Sequence, residues 1–382
     1  MRSVLPRPAR ARGRGYLLAL ASAGTATVLT AVAGCGVDTG GGSDSSSGSG
    51  SSGGKGEQIT VTAFAGAWGD LFKKSFVEPF EKDTGIKVNL VYGADSDWVT
   101  KLRAAGGSNA PFDVVALTPG SLHQAVGGKL LQPLKTGDLS NWKQLDPVLT
   151  QQSTIDGSSY GVPLTTGSNG LLYRTDKIKQ APKDWTDIFD KKYCGHVALP
   201  PLTYNAGLEF FSALVSQDGG KLSNPADVDK GFEKLAQLKN CVSSYPADAG
   251  SVSTVLQNGD AWIVPFWDGR AFAMEKEGQP IGFTYPASGA VGALTSYYVP
   301  KGSKHTAAAY KFLDYLSSAE HQKPFAEGTF YGAGNDTIDY DPAFKAKVKY
   351  GEDVYKKFTW VDYKTATPKL NEWQQRWNQI FK

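Results

Sequence analysis

Several residues that can hold a small polar or charged solute come directly after apolar, strand-like runs. They are Trp68, Thr118 and the adjacent pair Trp267 and Asp268. In open parallel sheets, ligands bind beyond the carboxyl ends of the strands, where such loops converge. An indole face attracts a cation, and a carboxylate neutralises an ammonium group. These residues therefore predict a binding site for a small solute.

Two charged residues in the last of these loops have alternative roles. Asp268 can neutralise an ammonium group, but it is equally well placed to cap a helix that begins at Gly269. Arg270 can bind a carboxylate or a phosphate, although we expect it to face solvent. The sequence leaves the choice for Asp268 open.

Patterns typical of catalysis or metal binding are missing from the sequence outside a Gly/Ser-rich stretch. His123, His196, His305 and His321 lack metal-ligand spacing, and neither HExxH nor CxxC occurs. The GxGxxG and GxSxG matches within 48–54 neither follow a strand nor open a helix, so they reflect composition alone. The sequence therefore predicts no metal, no cofactor and no enzymatic activity, and a surface-tethered enzyme is the alternative.

Apolar spacing predicts two α/β units that position these loops. Across 59–117, strand-like and helix-like runs alternate in the order β-α-β-α-β, with Phe72, Phe76 and Phe80 at helical spacing. This order predicts a parallel sheet with right-handed crossovers. Residues 170–266 repeat that kind of order, which predicts a second α/β unit.

The end of the chain is predicted to be helical. A helix at 306–316 is followed by Ser317 and Glu320, which match a capping box for another helix. The final helix is predicted to have Thr367 as its N-cap and Pro368 as its first residue. Its apolar stripe indicates packing rather than ligand binding. The stripe consists of Leu370, Trp373, Trp377 and Ile380.

The N-terminus has the features of an export signal with a lipid-attachment site. Five arginines and no acidic residue precede an apolar run at 16–32 that is too short for a comfortable membrane span. The run ends in VAGC, which resembles a bacterial lipobox. We therefore predict a lipoprotein signal peptide at 1–34, and lipidated Cys35 with a flexible Gly/Ser tether at 35–56. The alternative is an ordinary signal peptide beside an unrelated cysteine.

Length and composition are those of a globular exported protein. The 382 residues, 41% of them hydrophobic and 20% charged, suggest two folded units rather than a disordered or multi-span chain. Removal of 1–34 takes five arginines away and changes the formal charge from +3 to −2, which does not favour nucleic acid. In an exported protein Cys194 and Cys241 are a candidate disulfide; two buried free cysteines are the alternative.

Collinear motifs across nearly the whole mature chain resemble bacterial extracellular solute-binding proteins, and most of all their spermidine/putrescine-binding branch. After the lipobox and the tether come TGIKV at 84–88, FDVV at 112–115, YGVP at 160–163 and GLLY at 170–173. The resemblance implies an α/β, two-lobe, type II periplasmic-binding-protein-like fold. Hinge strands would join the lobes, and the ligand would bind in the cleft between them.

The resemblance also implies a domain division. Lobe 1 would comprise 57–165 and about 292–340, and lobe 2 would comprise 166–291. Residues 341–382 would form a helical segment that braces the lobes.

A role and partners follow from the same resemblance. The protein would be the substrate-binding component of an ABC importer, capturing a small solute by lobe closure and delivering it to permease and ATPase subunits. It would be a monomer, lipid-anchored through Cys35 to the outer face of the bacterial cell membrane.

The resemblance assigns solute contacts to particular residues. Asn205, Leu208 and Thr295 stand where polyamine binders carry acids, so a dication would be poorly neutralised here. An amine with one charge, a zwitterion or a polar neutral solute fits better. The expected contacts are Ala67, Trp68, Thr118, Ser168, Tyr204, Asn205, Trp267, Asp268, Thr295 and Tyr297.

A ferric-ion-binding protein is a further alternative, because ferric-ion binders of the same superfamily use paired tyrosines. Tyr297 and Tyr298 form such a pair, but they lie in an alternating strand. Successive side chains of a strand point to opposite faces, so only one of the two can reach the cleft.

Overall fold

The computed structural model describes residues 56–381 of the chain. Within that range it contains twelve strands and fourteen α-helices. The strands are β1 (Gln58–Phe64), β2 (Lys87–Gly93), β3 (Val115–Leu117), β4 (Thr154–Ile155), β5 (Ser158–Ser159), β6 (Gly161–Arg174), β7 (Val197–Ala198), β8 (Val242–Ser244), β9 (Ile263–Trp267), β10 (Ile281–Thr284), β11 (Val291–Tyr298) and β12 (Gly332–Ala333). The helices are α1 (Ala67–Phe72), α2 (Glu78–Thr84), α3 (Asp95–Ala104), α4 (Pro119–Gly127), α5 (Pro147–Gln152), α6 (Asn205–Ser216), α7 (Pro225–Ala236), α8 (Ala249–Gln257), α9 (Asp268–Lys276), α10 (Thr306–Ser317), α11 (Ala319–Thr329), α12 (Pro342–Lys347), α13 (Glu352–Tyr355) and α14 (Tyr363–Ile380).

One hydrophobic core, here called the lobe 1 core, draws its residues from 59–164 and 297–325. Strand β1 pairs in parallel with β2, and an isolated parallel bridge joins β1 to the residue before β3. A π-helical turn connects α1 to α2. Phe72, Phe76 and Phe80 along this helical segment have no exposed surface, as their spacing predicts. Burying each such ring stabilises the fold by about 2 kcal/mol.

A second core, here called the lobe 2 core, draws its residues from 171–291 and 361–381. Helices α6 and α7 contribute to it, together with strands β7 and β9, which pair in parallel. A disulfide joins Cys194 to Cys241 close to the pairing of β7 with β8. The described residues thus include two large hydrophobic cores, each formed by helices and strands, and three smaller clusters.

Strands β6 and β11, here called the crossing strands, run antiparallel to each other through both cores. Strand β6 contributes Val162 to the lobe 1 core and Leu171 to the lobe 2 core. Strand β11 likewise contributes Tyr297 to the first and Val291 to the second. The fold is therefore two-lobed, and two neighbouring strands connect the lobes.

The sheet is mixed rather than wholly parallel. Strand β11 lies antiparallel to β3 as well as to β6, and β6 lies antiparallel to β9. The chain leaves lobe 1 through β6 and returns through β11, so these two strands run in opposite directions within one sheet. The β-α-β-α-β pattern of the first lobe could not reveal this return.

Trp360 lies directly against one of the crossing strands. A Cβ added at Gly292 would be 2.6 Å from the Cη2 atom of Trp360, so only glycine allows the indole this close. The Gly292 N–H also donates to the carbonyl of Thr359 at 2.9 Å. The indole therefore packs on the backbone of the strand that connects the lobes.

The C-terminal helix α14 contacts both lobes. Trp373 and Trp377 belong to the lobe 2 core. Tyr363, the first residue of the helix, packs against α4, where a Cβ added at Gly120 would lie 3.0 Å from its ring. Helix α4 follows β3 and contributes to the lobe 1 core.

Two predicted helix starts are wrong by a few residues. Helix α14 begins at Tyr363 because the side chain of Asp362 accepts the N–H of Thr365 and caps the helix one turn before Thr367. Pro368 therefore lies inside the helix. Helix α11 is capped by Ser318 rather than by the residue before it.

The predicted signal peptide at 1–34, lipidated Cys35 and the tether up to residue 55 lie outside the described residues. Among residues 56–381, none of the helices is both long and apolar enough to cross a membrane.

Candidate functional site

A chain of hydrogen bonds joins the two lobes between Asp95 and Asn205. The Thr118 hydroxyl, after β3 in lobe 1, donates to Asp95 Oδ2 at 2.5 Å. Asn205, the first residue of α6 in lobe 2, donates from Nδ2 to the same hydroxyl at 3.0 Å. The predicted solute residues Thr118 and Asn205 therefore contact each other directly across the lobe junction.

The carboxylate of Asp268 holds a crossing strand. Its Oδ1 accepts the N–H groups of Ser168 at 3.1 Å and Gly269 at 2.8 Å. Its Oδ2 accepts the hydroxyls of Ser168 and Tyr285, each at 3.2 Å. Asp268 has no exposed surface, and burial raises its pKa to about 7. All of these contacts are with the protein, so Asp268 links β6 to the start of α9.

A buried carboxylate that the sequence analysis missed lies on α6. Glu209 is 3% exposed, and its Oε2 accepts the indole N–H of Trp267 at 2.8 Å and the Nδ2 of Asn169 at 3.0 Å. Burial raises the pKa of Glu209 to about 7, and nearby Asp268 also raises it. Glu209 is the one charged residue in the apolar sequence of α6, which is a signal that the sequence analysis could have used.

Trp267 and Tyr204 form the aromatic side of this cluster. Their ring centroids are 5.4 Å apart in an edge-to-face arrangement, and both side chains are half-buried. Burial raises the pKa of the Tyr204 phenol, which therefore stays protonated and can donate a hydrogen bond. Such rings can contact either a cation or the apolar stem of a solute.

Trp68 packs in the lobe 1 core. It is 6% exposed, stacks on Phe72 with centroids 5.5 Å apart, and meets Phe325 edge-on at 5.0 Å. Ala67 beside it is exposed at the start of α1. Packing accounts for the position of Trp68, and the solute contacts of both residues stay predictions.

The paired tyrosines of β11 are also fully buried. The Tyr297 hydroxyl donates to the carbonyl of Thr62 at 3.2 Å, and the Tyr298 hydroxyl shares a hydrogen bond with Ser153 at 3.3 Å. Thr295 is half-buried on the same strand. Both tyrosine hydroxyls are thus engaged inside the protein, and the solute contacts of Tyr297 and Thr295 stay predictions.

Direct contacts connect six of the predicted residues into two adjoining groups. Trp267 and Asp268, which are neighbours in the chain, link the aromatic group to the buried carboxylate. The connected residues are Thr118, Ser168, Tyr204, Asn205, Trp267 and Asp268.

Across the part of the chain that the structure describes, no three His, Cys, Asp or Glu side chains are arranged to hold a metal ion.

Sequence comparisons identify relatives over most of the chain. The family model described as "Bacterial extracellular solute-binding protein" matches residues 75–352. The putrescine-binding periplasmic protein PotF of Escherichia coli is 27% identical over 345 residues, which cover 82% of this chain and 89% of the relative. A putrescine/agmatine-binding protein of Pseudomonas aeruginosa is 26% identical over 305 residues, covering 75% and 82%.

Solved structures share the fold. An ABC transporter substrate-binding protein from Bradyrhizobium japonicum superposes with a TM-score of 0.72 at 24% identity, covering 85% of this chain and all of that one. The spermidine/putrescine substrate-binding protein PotD from Streptococcus pneumoniae superposes with a TM-score of 0.67 at 19% identity, with the same coverage.

Proposed function

Because the chain belongs to the family of bacterial extracellular solute-binding proteins, we propose that it is the substrate-binding component of an ABC importer. It captures a small polar or cationic solute between its lobes and delivers it to permease and ATPase subunits. The chain acts as a carrier and catalyses no reaction.

The observation that carries this proposal is the connection between the lobes. Two hydrophobic cores are linked by β6 and β11, and the hydrogen bond between Asn205 and Thr118 joins residues on opposite sides. A protein built in this way can close by rotating one lobe about two strands. The two halves keep their own packing while the junction changes.

Capture then follows from differential affinity. A solute that contacts both lobes stabilises the closed form only to the extent that it binds that form more tightly than the open one. Opening breaks the hydrogen bond between Asn205 and Thr118, which is worth about 1 kcal/mol net.

The relatives support an amine-containing solute. Two of them carry putrescine or agmatine in their names, and Trp267 and Tyr204 provide aromatic faces that suit a cation or an alkyl stem. The family resemblance would place Asn205, Leu208 and Thr295 where polyamine binders carry acids, which disfavours a dication. Thr118 and Asn205 would contact the solute from opposite lobes, while Ser168 and Asp268 would hold the crossing strand.

Location belongs to the same proposal. The family is extracytoplasmic, and the lipobox ending at Cys35 would anchor the mature chain to the outer face of the cell membrane as a monomer. The Gly/Ser tether would keep the lobes within reach of the permease.

The test is a binding screen followed by a shape measurement. Thermal-shift assays with amines, betaines, amino acids, opines, phosphonates and sugars would identify a solute, and X-ray scattering would compare the free and the loaded protein. We expect saturable binding, intact solute on recovery and a more compact loaded form. Chemical conversion of the solute, or identical scattering profiles, would contradict the proposal.

A further inference from the structure

The acidic groups at the lobe junction differ in how completely protein donors satisfy them. Both oxygens of Asp268 accept two hydrogen bonds each from the protein. Asp95 accepts the N–H of Ser96 at 3.0 Å on one oxygen and the Thr118 hydroxyl at 2.5 Å on the other. Neither of these two carboxylates needs a solute to complete its hydrogen bonds.

Glu209 and Asn169 form a group of hydrogen-bond acceptors, here called the acceptor corner, that the described residues do not fully satisfy. The hydrogen bonds that Glu209 accepts from the described residues all go to Oε2. Asn169 donates its amide to Glu209 and to the carbonyl of Ala206, and within residues 56–381 its buried Oδ1 has no partner. Buried acceptors are normally paired. An ammonium group has three donors and no acceptor, so it matches this corner.

Arg270, in the first turn of α9, is a cation without an acidic partner among the described residues. Arg174 and Arg376 pair with Asp176 and Asp229. In the described part of the chain, by contrast, no carboxylate lies within ion-pair distance of Arg270. Its side chain is half-buried in the first turn of α9 rather than fully exposed. A planar guanidinium in such a position suits a carboxylate.

Arg270 and Glu209 both influence the pKa values of the same two tyrosines. Burial raises the pKa of the phenols of Tyr204 and Tyr331; Arg270 lowers both pKa values and Glu209 raises them. Tyr331 also packs on the start of α9, where a Cβ added at Gly269 would lie 2.6 Å from its ring. Trp267, whose indole N–H donates to Glu209, directly precedes the first turn of α9, which carries Arg270, so Arg270 and Glu209 lie near each other at the lobe junction.

Building on the proposed function, we propose that the solute is a zwitterion. Its single ammonium group binds Glu209 and Asn169, and its single carboxylate binds Arg270. The aromatic faces of Trp267 and Tyr204 contact the stem between the two charges. The solute enters when the hydrogen bond between Asn205 and Thr118 opens.

A diamine of the same length fits this arrangement poorly. With one ammonium group at Glu209, the other would face Arg270 instead of an acid. A buried charge beside a like charge and without a counter-ion is strongly unfavourable. The site therefore selects for charge type as well as for length.

Binding of the ammonium group has a protonation signature. The pKa of empty Glu209 is raised to about 7, so near pH 7 the group is partly protonated. A cation beside it favours the charged form and lowers the pKa, so binding releases protons. The titratable groups that interact with Glu209 are Asp268, Tyr204, Tyr331 and Tyr363.

Isothermal titration calorimetry at pH 7 with matched probes tests this proposal. Glycine, β-alanine, 4-aminobutyrate and 5-aminopentanoate are each compared with the diamine and the monoamine of equal chain length. We expect at least one zwitterion to bind about tenfold or more tightly than both of its matched amines. Repeating the titration in buffers with different heats of ionisation should show proton release.

Two variants assign the charges to residues. Glu209→Gln keeps the shape of the side chain and an acceptor for Trp267 and Asn169, and a melting curve checks that the variant is folded. We expect it to weaken zwitterion binding by about 10- to 100-fold and to abolish proton release. Arg270→Gln should weaken zwitterion binding similarly and reduce the preference over the matched diamine. Glu233→Gln and Arg103→Gln, at exposed positions, are the matched controls and should bind as the wild type does.

The outcomes separate this inference from the proposed function. If a diamine or an uncharged solute binds and every zwitterion binds more weakly or not at all, the zwitterion proposal is overturned while the carrier function stands. Full affinity in the folded Glu209→Gln or Arg270→Gln protein would also overturn it. If neither these probes nor the wider solute collection bind, both proposals fail.

Discussion

Glu209 and Asp268 are buried acids whose pKa values burial raises to about 7. A carboxyl group whose pKa is higher in the folded than in the unfolded protein stabilises the fold below its unfolded pKa. That contribution is lost as the pH rises through the folded pKa. We therefore expect the free energy of unfolding to fall between about pH 4 and pH 7, because over this range both carboxyl groups lose their protons more readily in the unfolded chain than in the folded protein, where they are buried.

Glu209→Gln should flatten this pH dependence. The variant removes one of the two titrating groups, whose contribution across the window is up to about 3 kcal/mol. Urea denaturation at pH 5, 6, 7 and 8 measures the change. Glu233→Gln on α7 should keep the wild-type slope, since that residue is exposed. A variant that retained the full slope would show that Glu209 does not titrate in this range.

The site residues divide according to the kind of sequence signal that each one carries. Thr118, Trp267 and Asp268 were predicted because they follow strands, and the structure brings them to one junction. Glu209 carries no such signal, because it lies inside helix α6 and does not follow a strand. The burial that makes Glu209 important depends on the packing of α6 against β6 and β9, which a single sequence does not reveal.

At the scale of elements, the cap of α14 is a local interaction with a measurable contribution. Asp362 accepts the Thr365 N–H at 3.1 Å and the Thr365 hydroxyl at 2.6 Å. Asp362→Ala should therefore lower the free energy of unfolding by about 1 kcal/mol. Calorimetric melting measures it. Glu372→Ala, exposed in the middle of the same helix, should cause no comparable loss, and equal losses in both variants would argue against a capping effect.

The disulfide of lobe 2 constrains a longer stretch of chain. Cys194 and Cys241 are 47 residues apart in sequence, and closing a loop of that length stabilises the fold by about 4 kcal/mol in the chain-entropy model. We expect the double substitution of both cysteines by serine to lower stability by about this amount. Adding a reductant should destabilise the wild type and leave the double variant unchanged. Two free thiols in unreduced protein would contradict the bond.

Elements were predictable where one local pattern determines them. The phenylalanine spacing of the first long helix and the alternation in β1 are local, and both elements are present. Strand β6 is fourteen residues long, although it contains glycines and a proline, which strands disfavour. Its length comes from pairing with β9 and β11, which are far away in sequence. The start of α14 was misplaced because Thr367 and Pro368 imitate a helix start.

At the scale of the whole molecule, the cross-lobe hydrogen bond should bias the empty protein toward closure. Asn205→Ala removes the Nδ2 donor and leaves Thr118 bound to Asp95. A loss of about 1 kcal/mol shifts the open–closed equilibrium about fivefold toward the open form. Small-angle scattering of the solute-free variant should show a larger radius of gyration. A control at the exposed Asn378, replaced by alanine, should leave the profile unchanged.

The contact between Trp360 and Gly292 should let the protein's intrinsic fluorescence report lobe closure. The indole rests on the backbone of a strand that both lobes share, so rotation of the lobes alters the solvent and the dipoles around that ring. Its fluorescence emission should therefore change when a solute is captured, without any attached dye. A Trp360→Phe protein would serve as the blank that isolates this signal from the other eight tryptophans.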